Sequence, residues 1–509
     1  MLTDWNALLI TMLIAPAMFA LVAAVSGPGW RRVVARTGAL VAASGFLTAA
    51  TIAVQVGRGL PVTAAVGGFG LAVDRLAAVL LLLVFSVSTV VQAFAIRYLA
   101  GDRRAAWFTA GASLLTSASA GLVTATTLIG LAISWTVAGV ALCLLLSMYW
   151  HLPAARDGVR RTATAFVIGD LALWVAVVLA TAHWGLLDLR ALNTAELDVP
   201  LVPLIACLVV IAALSRSAQW PFHRWLPATL AAPTPVSALL HAGVVNAGGI
   251  LLVRLAPLVS GDVARVLTIA AGAATLTYGA VVMLVKADVK GALANSTMAQ
   301  MGFMILTCGL GLWAATIFHL VAHGFYKATL FLSSGSAIAQ RRRASARPPA
   351  QAMSRRRQIL TALTASALPA LALYVAAQAI SLPPGQHTAE QALLIFAWAT
   401  GAAVTWGWLT RRRGIAAGVA AVTLLFAAVI AYLGLITTVG HFLAPSLPTS
   451  TAPAALAWSV AAAVSAVLAG LAVLRRMPDT AIHRAIYARA ISTGYIAPSS
   501  PTHLTGARS

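Results

Sequence analysis

The chain has 509 residues, of which 61% are hydrophobic and 9% are charged, and its mean hydropathy is +0.91. These values exclude an ordinary soluble protein and indicate a polytopic membrane protein. The formal net charge of +22 would favour nucleic-acid binding in a soluble domain, but basic residues in short loops between apolar segments also set the orientation of a membrane protein. We therefore expect membrane lipid around the chain and no nucleic-acid partner.

Apolar segments long enough to cross a bilayer follow one another through most of the chain. A spanning helix needs about 20 predominantly apolar residues, and this length predicts an all-α bundle of about 14 to 15 spans. The segments lie near 7–25, 37–57, 76–96, 107–124, 127–149, 163–182, 200–217, 235–257, 264–285, 295–311, 313–338, 358–381, 390–409, 415–438 and 454–474. We expect residues 1–476 to form one transmembrane domain that includes a basic cytoplasmic loop at 341–357. Residues 477–509 are predicted to form a short cytoplasmic tail.

Arginine and lysine are concentrated in every second loop between these segments. The cation-rich loops lie near 31–36, 97–104, 156–161, 286–290, 341–357 and 411–413. Cation-rich loops face the cytoplasm, so the N-terminus is predicted outside and the C-terminus inside a bacterial cytoplasmic (inner) membrane. No cation precedes the first apolar segment, so we expect it to remain as a membrane helix rather than act as a cleaved signal.

The three cysteines lie within apolar segments and lack CxxC or CxxH spacing, so they predict neither a disulfide framework nor a zinc site. The sequence has no glycine-rich nucleotide loop, no haem or iron–sulfur ligand spacing and no paired catalytic carboxylates. We predict that the chain is not itself an enzyme and that it contains no catalytic residue and no metal site.

The stretch SRSAQWPFHRWLPATLAAPTPVSALLHAG, at 215–243, interrupts the apolar pattern. Proline lacks an amide hydrogen and disfavours helix at the preceding residue, and four prolines predict a break in the seventh span: Pro221, Pro227, Pro233 and Pro235. A break at membrane depth requires a protein-lined or watery cavity, and transporters place ion sites at such breaks. We expect Thr234 to cap the next helix, with Pro235 at its first position.

Ionisable residues at membrane depth are candidates for an ion path. Arg216 closes the seventh span, and His241 lies about two turns into the eighth. His319, His323 and Lys327 are spaced by four, so they share one helix face and predict a polar stripe.

Two further residues join these candidates, namely Asp170, an acid well inside a span, and Lys286, at a cytoplasmic turn from which it could reach back into the membrane. Asp170 could pair with a buried cation or cap a kink beside Gly169. Arg216 could extend its charge to the cytoplasmic interface, and His241 could be a hydrogen-bonded packing residue. The polar stripe needs either partners or water.

Three blocks resemble, in order, the antiporter-like membrane subunits of respiratory complex I and Mrp cation/proton antiporters. They are the stretch at 215–243, KADVKGALANSTMAQMGFMIL and FHLVAHGFYKATLFLSSGS. Within that superfamily, RYLAGDRRAAWF and LLLSMYWHLPAARDGVRRTATAFVIGDLAL are similar to the DabB branch, the membrane subunits of inorganic-carbon accumulation complexes. The resemblance implies an antiporter-like fold with inverted repeats that conducts protons or sodium ions. It also implies a soluble DabA-like zinc partner on the cytoplasmic face that hydrates carbon dioxide to bicarbonate, so zinc is expected in the partner and no cofactor in this chain.

The resemblance also implies roles for single residues. Complex I-type subunits have a lysine at the position of Arg216, a channel histidine at the position of His241, and a polar stretch joining two half-channels where the 319–327 stripe lies. They also have a glutamate, paired with that lysine, at the position of Thr136, so that ion pair is expected to be absent here.

The interiors of predicted spans twelve to fifteen contain no charged residue, so a second half-channel is not predicted from this chain. Two other interpretations stay open: a proton- or cation-translocating subunit of a complex I-type or Mrp-type assembly, and a non-conducting scaffold for a soluble enzyme.

Overall fold

The computed structural model describes residues 4–66, 69–186, 188–192, 200–336, 354–380, 391–411, 414–449, 452–474, 477 and 479–494. Most of the predicted basic loop, residues 341–353, and the end of the predicted tail, residues 495–509, lie outside the described residues.

Helices dominate the described chain, and each predicted span contains helix among its described residues. In chain order the helices are α1 (Trp5–Val25), α2 (Arg31–Gly57), α3 (Arg75–Tyr98), α4 (Ala105–Thr124), α5 (Leu128–Leu146), α6 (Pro153–Trp184), α7 (Val202–Arg216), α8 (Thr234–Ala242), α9 (Ala247–Arg254), α10 (Ala256–Val259), α11 (Asp262–Val285), α12 (Val289–Gly309), α13 (Trp313–Leu332), α14 (Arg355–Ala379), α15 (Leu394–Arg411), α16 (Ile415–Leu443), α17 (Ala454–Leu474) and α18 (Ala481–Gly494).

The all-α polytopic class is confirmed, but the number of strongly apolar spans is lower than predicted. Among the described residues, eleven helices are long and apolar enough to cross a membrane. Of the other predicted spans, α7 has only 15 residues, and α12, α13 and α15 carry polar side chains that lower their hydropathy. The helices that fall short include three that carry the candidate site.

A small β-hairpin between α2 and α3 was not predicted. Strands β1 (Val62–Val66) and β2 (Phe69–Val73) pair antiparallel, with Val62 opposite Val73. The amide of Thr126 donates to the Gly70 carbonyl at 3.0 Å, which ties β2 to the connection between α4 and α5. The hairpin lies in a loop between two predicted spans, for which no regular structure was predicted. It does not change the fold class.

The predicted break of the seventh helix is confirmed. Helix α7 ends at Arg216, a 3-10 turn follows at Phe222–Thr229, and α8 begins at Thr234. Three of the four prolines flank or interrupt the turn, since Pro221 precedes it, Pro227 lies inside it and Pro233 precedes α8.

The predicted capping by Thr234 is wrong. Thr234 makes no side-chain capping bond, and it occupies the first helical position, which leaves Pro235 at the second. Its hydroxyl instead accepts a hydrogen bond from the Tyr98 hydroxyl at 3.2 Å. Proline at the second position still leaves the helix intact, because the first amides of a helix have no intrahelical acceptor.

Helices α11 and α12 pack backbone against backbone through glycines. A Cβ atom on Gly272 would lie 2.6 Å from the Leu306 nitrogen, and one on Gly279 would lie 2.5 Å from the Ala299 nitrogen. On the facing helix, a Cβ on Gly302 would clash with the Leu276 nitrogen. Small residues permit such close approach in membrane proteins, where packing drives helix association.

The predicted cytoplasmic tail contains α18, which docks on α11. The Tyr278 hydroxyl donates to the Thr493 carbonyl at 3.1 Å, and Lys286 Nζ donates to the Gly494 carbonyl at 2.6 Å.

Replacing Gly302 by leucine is expected to destabilise the protein, because the new side chain must displace the backbone of α11. Overpacking of this kind costs at least about 1–3 kcal/mol, so the thermal unfolding midpoint in detergent should fall. Gly470→Leu in α17 is the matched control, because a Cβ there meets no atom within 4 Å. Equal midpoints for the two variants would contradict the proposed backbone contact.

Candidate functional site

A buried ion pair joins the end of α7 to the middle of α6. Arg216 Nη2 donates to Asp170 Oδ1 at 2.8 Å, and the arginine side chain is only 1% exposed. Trp135 Nε1, from α5, donates to the same carboxylate oxygen at 2.7 Å. Of the two alternatives for Asp170, the structure shows pairing with a buried cation, and Arg216 does not extend to the membrane surface.

The guanidinium of Arg216 is enclosed by aromatic rings and a glycine. Its Cζ lies 4.4 Å from the centre of the Trp135 ring and 4.1 Å from that of Phe166, and its Nη1 donates to the Trp135 carbonyl at 3.1 Å. A Cβ on Gly139 would lie 2.9 Å from Nη2. The cation is therefore stabilised by a carboxylate, a carbonyl and two ring faces, and a side chain at 139 would require the guanidinium to shift.

Arg216 has an acidic partner, although it is not the one found in complex I-type subunits. Thr136, which stands in place of the glutamate, accepts a hydrogen bond from Trp174 Nε1 at 3.1 Å. The carboxylate instead comes from Asp170, on the adjacent helix α6. Leaving a buried cation unpaired is costly, so the loss of the acid on α5 is offset by an acid on α6.

The eighth span contains a second break that was not predicted. Helix α8 ends at Ala242, Gly243 adopts a non-helical conformation, and a 3-10 turn at Val244–Asn246 precedes α9. The Ser217 hydroxyl donates to the Val245 carbonyl at 2.7 Å, which joins this break to the first one. The two breaks therefore lie side by side, as the HAGVVNAGG stretch, with its glycines and asparagine, could have indicated.

A cavity of about 60 Å³ lies between the ion pair and the second break. It is largely apolar, and its polar lining consists of Ser88, Thr116, Ser119, Arg216 and Asn246. Among the described residues, Asn246 Oδ1 and Arg216 Nε are buried without a hydrogen-bond partner. A water needs about 10–15 Å³ and two or more polar partners, so this cavity suits a short chain of waters.

The α3 side of the cavity continues as a polar column. The hydroxyls of Ser88 and Thr116 are 2.7 Å apart, and Gln92 Nε2 donates to Ser88 Oγ at 3.0 Å. These residues were not among the sequence candidates, although polar side chains four residues apart in the apolar run of α3 were a visible signal.

His241 and Lys327 meet on neighbouring residues of α12. Lys327 Nζ donates to Ser296 Oγ at 2.9 Å and lies 3.4 Å from the Leu293 carbonyl. Thr297 Oγ1 donates to that same carbonyl at 3.0 Å, so it accepts from His241 Nδ1, which is also 3.0 Å away. The histidine and the lysine, both buried, are thus connected through the Leu293 carbonyl.

The polar stripe of α13 is present, and it runs from Lys327 through two histidines. The rings of His319 and His323 are 5.9 Å apart, and the His319 ring lies 5.0 Å from that of Phe303. Both ring nitrogens of His323 and Nε2 of His319 are buried without a partner within the described chain. The structure therefore supplies few protein partners for the stripe.

Lys286 is the candidate that the structure sets apart. It follows the last residue of α11 and bonds to α18. By contrast, Arg216 lines the cavity and pairs with Asp170, and His241 and Lys327 meet at α12. A transport role for each of these residues stays a prediction. Among the described residues, no group of three or more histidine, cysteine or acidic side chains could hold a metal ion.

Comparison with known proteins identifies the family. A family model described as "NADH:quinone oxidoreductase/Mrp antiporter, TM" matches residues 125–416, more than half of the chain. The chain belongs to this antiporter-like family of membrane subunits. A second model, "NADH-Ubiquinone oxidoreductase (complex I), chain 5 N-terminus", matches residues 63–109. This family member is accordingly a multi-pass membrane protein.

Several curated relatives of this family member carry DabB names. The chain is 38% identical over 280 residues to the "Probable inorganic carbon transporter subunit DabB1" of Halothiobacillus neapolitanus, which covers 53% of this chain and 50% of that protein. It is 37% identical over 275 residues to the "Probable inorganic carbon transporter subunit DabB" of Bacillus subtilis, and the match covers 52% of this chain and 53% of that protein. A chloroplastic NAD(P)H-quinone oxidoreductase subunit 5 from Nymphaea alba is 35% identical over 282 residues, and the match covers 53% of this chain and 38% of that protein. The chain thus spans about half the length, or less, of the curated relatives it matches.

Solved structures share the fold. The Mrp complex from Dietzia sp. DQ12-45-1b matches with a TM-score of 0.61 and 23% identity, over 97% of this chain and 59% of that chain. An archaeal membrane-bound sulfane sulfur reductase matches with a TM-score of 0.58 and 17% identity, over 96% of both chains. At such identities the likeness concerns the fold alone.

Replacing Asp170 by asparagine is expected to destabilise the protein, because the amide keeps an acceptor for Trp135 but leaves the buried cation unneutralised. Breaking a buried pair in this way costs about 3–5 kcal/mol, which should lower the thermal unfolding midpoint. Asp188→Asn is the control, since its pair with Arg190 is exposed and exposed pairs contribute at most about 1 kcal/mol. A midpoint for Asp170→Asn within error of that of the control would contradict the assigned pair.

Proposed function

We propose that this chain is the ion-conducting membrane subunit of a complex that accumulates inorganic carbon. The observation that carries the proposal is a buried Arg216–Asp170 pair opening on a cavity between two broken helices, in a chain that is 38% identical to a DabB relative. Downhill movement of protons or sodium ions through this subunit would drive hydration of carbon dioxide to bicarbonate in a soluble DabA-like partner on the cytoplasmic face. The zinc that such hydration requires would be held by the partner.

Arg216 acts in this proposal as a fixed positive charge. A guanidinium does not release its proton in proteins, so Arg216 cannot itself carry a proton as a lysine could. Its charge instead acts on Asp170. Protonation of the Asp170 carboxylate would weaken the ion pair and release the guanidinium toward the cavity. A passing proton or cation therefore competes with the Arg216 guanidinium for the Asp170 carboxylate.

His241 and Lys327 are the groups that we assign to proton transfer. Neutral imidazole carries a proton on one nitrogen and a lone pair on the other, and the Thr297 contact places the proton on Nδ1. Nε2 is then left to accept one. A buried lysine amine can also lose its proton, and the hydrogen bonds of Lys327 in the described chain go to a hydroxyl and a carbonyl rather than to an acid.

The cavity connects these two parts of the proposed path. Its lining includes both Arg216 and Leu320, which lies between His319 and His323 in the sequence of α13. Waters held by the Asn246 amide and the Ser88 and Thr116 hydroxyls would relay protons between them. In the described chain the charged groups of this path lie between α6 and α13, which leaves the later helices without a role in proton transfer.

A second candidate function is a proton- or cation-translocating subunit of a complex I-type or Mrp-type assembly. The 35% identity to a chloroplastic quinone oxidoreductase subunit and the fold of the Mrp complex favour it. The replacement of the α5 glutamate by Thr136 weighs against it. Both functions use the same buried charges, so dependence on a DabA-like partner distinguishes them.

Replacing Arg216 by methionine is expected to abolish bicarbonate accumulation. The chain and a DabA-like partner would be expressed together in a bacterial host lacking carbonic anhydrase, and growth in ordinary air would be measured with and without an uncoupler. We expect growth only when both chains are present, and we expect sublethal uncoupler to prevent it. Arg216→Met should lose this growth because it removes the fixed charge, whereas Lys327→Met should lose it because it removes a proton-transfer group.

The matched control is Arg190→Met, from an exposed pair. It is expected to support growth at equal expression. If the Arg216→Met and Lys327→Met variants instead grow, and uncoupler does not prevent their growth, this chain is a non-conducting scaffold for the partner. No growth with the well-expressed wild-type pair, together with proton flux by the chain in vesicles, would favour the complex I-type or Mrp-type function.

A further inference from the structure

A second pocket, of about 350 Å³, opens far from the buried charges, where the ends of α1, α4 and α5 meet. The predicted orientation places these ends at the cytoplasmic face of the membrane. Arg103, Arg104, Trp107 and Trp150 line the pocket together with small and apolar side chains. No residue of this pocket takes part in the proposed ion path.

The pocket carries positive charge that the protein does not neutralise. The Arg103 side chain is exposed and has no hydrogen-bond or ion-pair partner among the described residues. The Arg104 guanidinium lies 3.4 Å from His151 Nδ1 and stacks 5.4 Å from the centre of the Tyr149 ring.

The acid in this region, Asp102, is already engaged by its neighbours. Its Oδ1 accepts from the Arg104 amide at 2.8 Å, and its Oδ2 accepts from the Tyr149 hydroxyl at 2.6 Å. One carboxylate against two guanidinium groups leaves the pocket with net positive charge. The N-terminus of α4, which begins beside the pocket at Ala105, adds to the positive potential.

Aromatic and apolar side chains place the pocket at the depth of lipid headgroups. Trp107 and Trp150 are 39% and 50% exposed, and partly exposed tryptophans mark the membrane interface. Val22 and Val25, at the end of α1, are 56% and 86% exposed and are sequence neighbours of pocket-lining residues. A bound anion that also carries acyl chains would therefore match both the charge and the apolar rim.

We propose that this pocket binds the phosphate headgroup of an anionic phospholipid through Arg103 and Arg104. Guanidinium groups bind phosphate oxygens with two parallel hydrogen bonds, and the acyl chains would lie along α1. The lipid would hold together the cytoplasmic ends of three helices that precede the ion path. This inference is independent of the proposed function.

Native mass spectrometry of the detergent-solubilised full chain tests the inference. The probes are phosphatidylglycerol, phosphatidylcholine and inorganic phosphate, each titrated against wild type, R103Q/R104Q and the control R355Q/R356Q, which removes two exposed arginines from α14. Each basic residue near an anionic lipid surface contributes on the order of a fivefold change in affinity. We therefore expect phosphatidylglycerol to bind the pocket variant at least about tenfold more weakly, and the control as tightly as wild type.

A charge-preserving variant, R103K/R104K, separates loss of charge from misfolding and should retain most of the phosphatidylglycerol binding. Equal retention of phosphatidylglycerol by R103Q/R104Q and wild type would overturn the inference. Equal binding of phosphatidylcholine would also overturn it, because the site would then not select negative charge. Displacement of the lipid by millimolar inorganic phosphate, with phosphate retained in its place, would assign the site to a soluble anion and would make the lipid assignment wrong.

Discussion

The burial of a permanent positive charge is the constraint on which the rest of this structure depends. Arg216 is 1% exposed and lies at the end of a broken helix, where a bare cation would be unstable. Two neighbouring helices accommodate it, because α5 provides Trp135 and Gly139, and α6 provides Asp170 and Phe166. The charge, its carboxylate and its aromatic walls form one unit, and the remaining polar groups of the candidate path are arranged around it.

The breaks in α7 and in the eighth span follow from the same requirement. Irregular backbone at membrane depth is tolerated only where protein or water satisfies it, and here the Ser217 hydroxyl and the Trp225 indole donate to carbonyls of the two breaks. The small cavity beside them is where the ion pair and the helices of the histidine–lysine cluster come together. Backbone packing of α11 on α12 through glycines holds the helix whose Ser296 and Thr297 contact that cluster.

Apolar span length and loop charge predicted the helical architecture, and the prolines predicted the first break. The seven candidate residues were found because a charge inside an apolar run is visible in any sequence. Contacts between residues far apart in the sequence could not be predicted. The sequence around Thr136 does not indicate that Asp170, on α6, supplies the acid that position 136 lacks. Nor does it indicate that Gly139 leaves space for the Arg216 guanidinium. The second break at Gly243 was not predicted because the eighth span is apolar enough to read as one helix, although its glycines and asparagine were a signal. The cap prediction for Thr234 failed because helix propensity does not foresee the competing contact with Tyr98.

The central claim is that Arg216 needs a carboxylate partner and that α6 supplies the one that α5 lacks. The most direct test transfers the negative charge from position 170 to position 136 in a double variant, Thr136→Glu with Asp170→Asn. Its thermal unfolding midpoint is compared with that of each single variant. If the partner charge is what matters, the double variant should recover most of the midpoint lost by Asp170→Asn, because glutamate at 136 restores a negative charge beside Trp135. A double variant that is no more stable than Asp170→Asn would contradict the account.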